Sequence, residues 1–334
     1  MDKGVGILGS ADITKEDIRE TYSNIRQIHK SLLDEMRLAV VGQDDIIEQI
    51  LIAILTRNHA LLEGYPGLGK TLMINTLSRI LDLDFKRIQC TPDVMPSDIT
   101  GTYIVESDDS GKKVFRFEKG PVFTNILLTD EINRATPKTQ SALLEAMQEK
   151  QVTLGTSTHN LENPFFVLAT QNPIEMEGTY PLPEAQLDRF LLKILIGYPT
   201  EEDESRIIDL YTSKHEIEIK KVLGRKQLII LQELTREMPI ADDVKKHALR
   251  IVTKTRSGEI YDKYLDYGAS PRASIGIILA AKARALLRGR NYVSREDIEA
   301  MAYPVLRHRI IPNFESERKG VSRDEVIKEV IKSV

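Results

Sequence analysis

Eight consecutive residues, Gly64-Tyr65-Pro66-Gly67-Leu68-Gly69-Lys70-Thr71, match the spacing of a glycine, any four residues, then Gly-Lys-Thr. Each residue type there has a physical reason. Glycines let the backbone turn sharply and aim amide N–H groups at anionic oxygens. A helix predicted over 70–81 opens at the loop, and its N-terminal dipole favours phosphate. Lys70 adds a point charge for the outer phosphates, and the Thr71 hydroxyl is a ligand for Mg²⁺. Gly64, Pro66, Gly67, Leu68, Gly69, Lys70, Thr71 and Leu72 therefore form the expected triphosphate cradle. Downstream, the apolar run Ile126-Leu127-Leu128-Thr129 ends in Asp130 and Glu131. Apolar strands rarely end in paired acids unless a cation or a water receives them. Asp130 is expected near Mg²⁺ and Glu131 at the attacking water. Thr170-Gln171-Asn172 ends another apolar run, where Asn172 would lie beside the terminal phosphate and orient that water. ATP and Mg²⁺ are the implied ligands, and ATP hydrolysis the implied chemistry.

Such groups need a scaffold. Short apolar runs at 59–62, 85–90, 125–129, 165–170 and 191–196 alternate with helical patterns. Strands separated by helices predict a parallel sheet sandwiched by helices, an α/β fold. Two segments break the rhythm. Residues 103–117 read as a β-hairpin with a polar turn at 107–111, and 151–161 as a second hairpin turning near Gly155. Inserted loops on a rigid scaffold often carry function, although edge packing is an equal reading of both. Upstream, apolar residues three or four apart predict one helix over 16–39, and another from Asp45 to about Thr56; residues 1–15 look loose. Beyond Pro199 the chain reads as helical throughout, with Ser294-Arg295-Glu296-Asp297 as a helix start. The expected domains are an N-terminal helical extension (1–33), an α/β nucleotide-binding domain with two hairpin inserts (34–198) and a smaller all-α lid (199–334).

Composition bounds the partners. A chain of 334 residues exceeds what one core usually holds. Its 46 basic and 50 acidic residues leave a formal charge of −4, which gives no general attraction to nucleic acid. The single cysteine, Cys90, has no internal disulfide partner and is expected as strand-end packing in a reducing, cytoplasmic setting. The first residues lack the apolar stretch of a secretory signal, and no apolar run is long enough to span a membrane.

Further motifs carry a family resemblance. Asp130-Glu131-Ile132-Asn133-Arg134-Ala135, Ala169-Thr170-Gln171-Asn172-Pro173, Leu182-Pro183-Glu184-Ala185-Gln186-Leu187-Asp188-Arg189-Phe190, Gly268-Ala269-Ser270-Pro271-Arg272-Ala273 and Pro304-Val305-Leu306-Arg307-His308-Arg309-Ile310 resemble, in order, the MoxR family of AAA+ ATPases. The resemblance covers the chain from about residue 34 onward. It implies that Asp130 and Glu131 are the Walker B acids, Glu131 being the catalytic base, and that Asn172 is sensor 1. It implies an arginine finger at Arg189, delivered into a neighbour's site, and sensor 2 at Arg272, in cis or in trans. Val41 and Gly42 match the segment lining the adenine pocket, and the hairpins match two inserts facing the channel of a ring. From the residues alone, Arg189 reads instead as an ion-pair partner of Asp188 or Glu184.

The family implies a homo-oligomer, a hexameric ring, that remodels a protein client, in some members one with a von Willebrand factor A domain. No such domain's Asp-x-Ser-x-Ser motif occurs in this chain. No aromatic-glycine pore loop is found either, which favours local remodelling over threading. The alternatives are a nucleic-acid motor, kept open by Lys112, Lys113, Arg116 and Lys119 at the first hairpin, and a nucleotide-gated scaffold.

Overall fold

The apolar runs become strands because each must bury both faces. A computed structural model of the chain describes residues 14–107, 112–174, 178–213 and 217–334. The expectations for the first thirteen residues and for the hairpin turn at 108–111 lie outside them. Five parallel strands form the central sheet: β1 (Ala60–Gly64), β2 (Phe85–Gln89), β5 (Ile126–Asp130), β8 (Phe166–Gln171) and β9 (Leu192–Ile196), in the order β2-β5-β8-β1-β9. Alternation sends Leu62, Ile126, Leu128 and Leu168 to one face, and Leu61, Leu127 and Val167 to the other. Both sets are buried, so the inner strands β5 and β8 read as apolar runs, whereas the edge strand β2 (Phe85-Lys86-Arg87-Ile88-Gln89) keeps mostly exposed polar side chains.

Helices cover both faces unequally. The first face carries α2 (Ile25–Met36), α3 (Asp44–Leu55) and α4 (Lys70–Ile80), and its core continues into the lid. The second is covered by α6 (Pro137–Glu149) through Leu143, Leu144 and Met147, with a short α5 (Pro96–Thr100) beside it. Cys90 packs on this side, fully buried, and burial pushes its thiol up to about 12, where it is inert as a nucleophile. Two hairpins, β3–β4 (Gly101–Ser107, Lys113–Lys119) and β6–β7 (Gln151–Leu154, Ser157–Asn160), stand off the sheet. They touch through aromatic rings. Phe117 stacks on His159 with centroids 4.1 Å apart, and Tyr103 Oη lies 3.4 Å from His159 Nε2.

The lid follows as α7 (Glu184–Leu187, still in the core) gives way to α8 (Glu201–Thr212), α9 (Arg225–Glu237), α10 (Asp242–Lys254), α11 (Glu259–Tyr264), α12 (Pro271–Leu287), α13 (Arg295–Leu306), α14 (Phe314–Arg318) and α15 (Arg323–Lys332). The Ser294 capping box forms as expected. Its Asp297 is buried and also receives Arg284 at 2.6 Å and Arg290 at 2.5 Å. Three features differ from expectation. The helix predicted over 16–39 is two helices, α1 (Lys15–Ser23) and α2, because Asn24, with ψ of 2°, interrupts it. Ser and Asn compete with the backbone for hydrogen bonds, which weakens a helix at that point. The helix α6 was not anticipated, although Thr136 caps it and Pro137 opens it. The lid also holds a short antiparallel pair, β10 (Leu265–Tyr267) and β11 (Ile311–Pro312).

Candidate active site

The phosphate loop leaves β1 at the C-terminal end of the sheet and enters α4 directly. Gly67 and Gly69 sit at φ of 81° and 72°, in the left-handed region that favours glycine, and a Cβ on either would meet no protein atom within 4 Å. The space beside these backbone amides is therefore open to a ligand. Gly64 serves another end. A Cβ there would lie 1.9 Å from Cγ2 of Ile196, so its bareness lets β1 pack against β9. Its carbonyl accepts a 2.5 Å hydrogen bond from Lys70 Nζ. Burial pulls the Lys70 ammonium below its ordinary pKa, against the opposing pull of Asp130, Glu131 and Glu63.

Pro66, Gly67, Leu68, Gly69, Lys70, Thr71 and Leu72 line one cleft of about 450 Å³, and Asp130, Glu131 and Asn172 close it. The sheet order explains this convergence. β8 lies between β1 and β5, so the phosphate loop, Asn172 and the paired acids all emerge at adjacent C-terminal strand ends. Asp130 is buried, and its two oxygens accept from Thr170 Oγ1 (3.2 Å) and from Arg87 Nε (2.6 Å). Glu131 occupies a left-handed backbone position, φ 54°, that non-glycine residues avoid. Its amide donates to Thr170 Oγ1 at 2.9 Å, while Gln89 (3.1 Å) and Arg134 (2.9 Å) both donate to its Oε2. Asn172 Oδ1 accepts from the Ile174 amide at 3.2 Å.

The donor set fits a magnesium ion. A buried carboxylate that already draws a guanidinium to 2.6 Å demands a positive charge, and Thr71 supplies a hydroxyl across the same cleft. Among the described residues no three His, Cys, Asp or Glu side chains gather into a protein-only metal cage. Mg²⁺ seldom uses one; it keeps waters and substrate phosphates and takes one or two protein ligands.

A smaller cavity of about 230 Å³ adjoins the loop. Val40, Val41, Leu68, Leu72, Ile207 and Tyr211 give it a mainly apolar lining suited to a planar base. The hydroxyl of Tyr211 on α8 donates to the Ala39 carbonyl at 2.8 Å, so core and lid share its walls. Gly42 turns away and lines a neighbouring depression with Arg37 and Arg206.

Arg189 and Arg272 are not brought to the phosphate loop. They line a second cleft of about 360 Å³ that includes Arg57, Asn58 and His59, just before β1. The two clefts thus lie at opposite ends of β1, about 16 Å apart along a five-residue strand. Arg189 does not pair with Asp188 or Glu184. Asp188 instead receives Arg309 at 2.7 Å and Arg272 at 3.3 Å, and Arg189 donates to the Leu144 carbonyl at 3.2 Å. Sequence reasoning missed Arg87, Gln89 and Thr170. The signal was present for two of them, since Arg87 and Gln89 alternate on one face of a strand next to the one bearing the acids.

Comparison with known proteins identifies the family and the fold. Residues 59–192 match the model of the ATPase family associated with various cellular activities (AAA), and residues 258–330 match the AAA lid domain. Chaperone MoxR1 of Mycobacterium tuberculosis is 44% identical over 90% of this chain and 80% of its own length. Protein MoxR of Methylorubrum extorquens is 31% identical, covering 90% and 92%. A crystal structure of a Cytophaga hutchinsonii protein, 43% identical, superposes with a TM-score of 0.87 over 96% of this chain and 98% of that one. Among the described residues no helix is long and apolar enough to cross a membrane. Because the likeness runs through both nucleotide core and lid, and through MoxR proteins along nine-tenths of the sequence, the chain belongs to the MoxR family of AAA+ ATPases.

Proposed function

We propose that this ATPase hydrolyses ATP with Mg²⁺ at the seam between two copies of itself, in a hexameric ring that remodels or activates a separate protein. The observation that carries the reading is the division of charge. One cleft holds Lys70, Thr71, Asp130, Glu131 and Asn172; a second, at the far end of β1, holds Arg189 and Arg272. No side chain spans about 16 Å. Lys70 and Arg87 serve the cleft from within the chain, but Arg189 and Arg272 can then offset transition-state charge on the γ-phosphoryl only from an adjacent copy.

In this reading the loop amides and Lys70 hold the β- and γ-phosphates, and Thr71 and Asp130 hold the metal. The metal, when bound, screens the phosphate charge. Glu131 takes a proton from water as its oxygen bonds to the γ-phosphorus and the bridging P–O bond to ADP breaks; Asn172 positions that water. Val41 borders the adenine. The boundaries 1–33, 34–198 and 199–334 delimit extension, ATPase core and lid. A chaperone-like role follows from the name of the Mycobacterium tuberculosis relative. The client is expected to be a separate chain, with a von Willebrand factor A domain as one candidate. One buried cysteine suits a reducing cytoplasm.

Mixing tests the seam. Glu131→Gln should bind ATP but hydrolyse about 100-fold more slowly, and Arg189→Ala should be similarly slow. Combined, they should regain activity, because an Arg189→Ala subunit with an intact base can sit beside an intact Arg189. Absence of recovery in a confirmed mixed assembly would refute the shared site. Affinity capture with Glu131→Gln in ATP identifies the client.

A further inference from the structure

Lys150 occupies an unfavourable backbone position for a lysine. It ends α6 at φ 53° and ψ 30°, the left-handed conformation in which helix C-termini usually carry glycine, and its amide donates to the Ala146 carbonyl. A glycine would relieve this strain at once. The side chain is half-buried, and among the described residues it has no hydrogen-bond or ion-pair partner. Lys150 lines the cleft that also holds Arg189 and Arg272.

The charges around that cleft do not balance. Arg57 is met by Glu233 at 2.5 Å, and Arg309 and Arg272 share Asp188, the one acid among the described residues lining the cleft. Among the described residues, Arg189 meets a carbonyl and no acid, and the Lys150 side chain meets no partner. Two cations therefore face one opening without a counter-charge. Burial, together with repulsion from Arg57 and Arg236, depresses the Lys150 ammonium.

We infer that Lys150 is a further cationic residue of the shared ATPase site, reaching the outer phosphates of the nucleotide held by an adjacent copy alongside Arg189. This rests on the seam reading above and deepens it. A lysine at this turn supplies a compact point charge on a flexible stem, complementing the planar guanidinium of Arg189.

The test separates charge from structure. Lys150→Gly removes the cation and relieves the strain. It should match or exceed the parent in melting temperature, yet lose about tenfold or more in kcat, and Lys150→Arg should keep most of the activity. In mixtures with Glu131→Gln, Lys150→Gly should regain activity as Arg189→Ala does. Overturning results are equally distinct. A Lys150→Gly protein within about twofold of parental kcat would sink the inference. So would failure of Lys150→Gly to recover in mixtures where Arg189→Ala does, since that leaves the seam intact and removes Lys150 from it. Failure of both to recover would overturn the seam reading and this inference with it.

Discussion

Replacing Asp188 by asparagine should separate the stability of the lid junction from its chemistry. Arg309 is almost wholly buried, 4% exposed at the side chain, and its Nε lies 2.7 Å from Asp188 Oδ1. Its other donors reach the carbonyls of Leu191, Val305, Asp188 and Phe190. Removing the carboxylate's charge strands a buried guanidinium, a change that costs about 3–5 kcal/mol when nothing else satisfies the cation. The carbonyls remain, so the lower end, about 3 kcal/mol, applies, with a fall of roughly 6 °C or more in melting temperature. Arg272 shares the same carboxylate but is 59% exposed, so Arg272→Ala should cost less than about 1 kcal/mol while slowing hydrolysis sharply. Urea titration followed by circular dichroism, beside an ATPase assay, reads both. Asp188→Asn combined with Arg309→Met should recover much of the loss. If Asp188→Asn shifted stability by under about 1 kcal/mol, the buried pair would not hold the lid to the core as argued here.

Nucleotide binding, buried histidines and the paired hairpins each give a further expected outcome. Mg²⁺–ATP at a hundred times its dissociation constant should stabilise the chain by about 2.7 kcal/mol in a thermal shift, and Lys70→Ala should remove most of that gain. Burial holds the imidazole of His59 down to about 4 and that of His308 well below its ordinary range. Both fold neutral, so the stability they contribute is complete above about pH 6.5. It declines toward pH 4 by about 1.4 kcal/mol per unit for each group, which urea midpoints between pH 7 and pH 5 will reveal. A double-mutant cycle on Phe117→Ala and His159→Ala should give a coupling of about 0.5–1.5 kcal/mol; a value near zero would mean the hairpins move independently.

Much of this was legible in the chain. Buried parallel strands announce themselves as apolar runs, and all five strands of the sheet lie within two residues of where the runs placed them. The phosphate loop and the paired acids were legible because their chemistry needs few substitutes. The order of the strands was not, and the site depends on it. Arg87 reaches Asp130 only because β2 pairs with β5, a pairing between residues more than forty positions apart. Likewise, Arg189 looked like a partner for Asp188, its neighbour in sequence. Arg309, some 120 residues on, takes that carboxylate instead, and nothing local foretells it. The break at Asn24 was missed because the apolar period runs through it unchanged.

Helix α8 has no buried residue, and one phenolic hydroxyl ties it to the loop ahead of α3. An element fastened so lightly behaves as a latch. A purine wedged between Leu72 and Ile207 would bear on it directly, so this helix alone would register the filling of a small cavity, while α9, α12 and α13 stay packed in one core with α3 and β9.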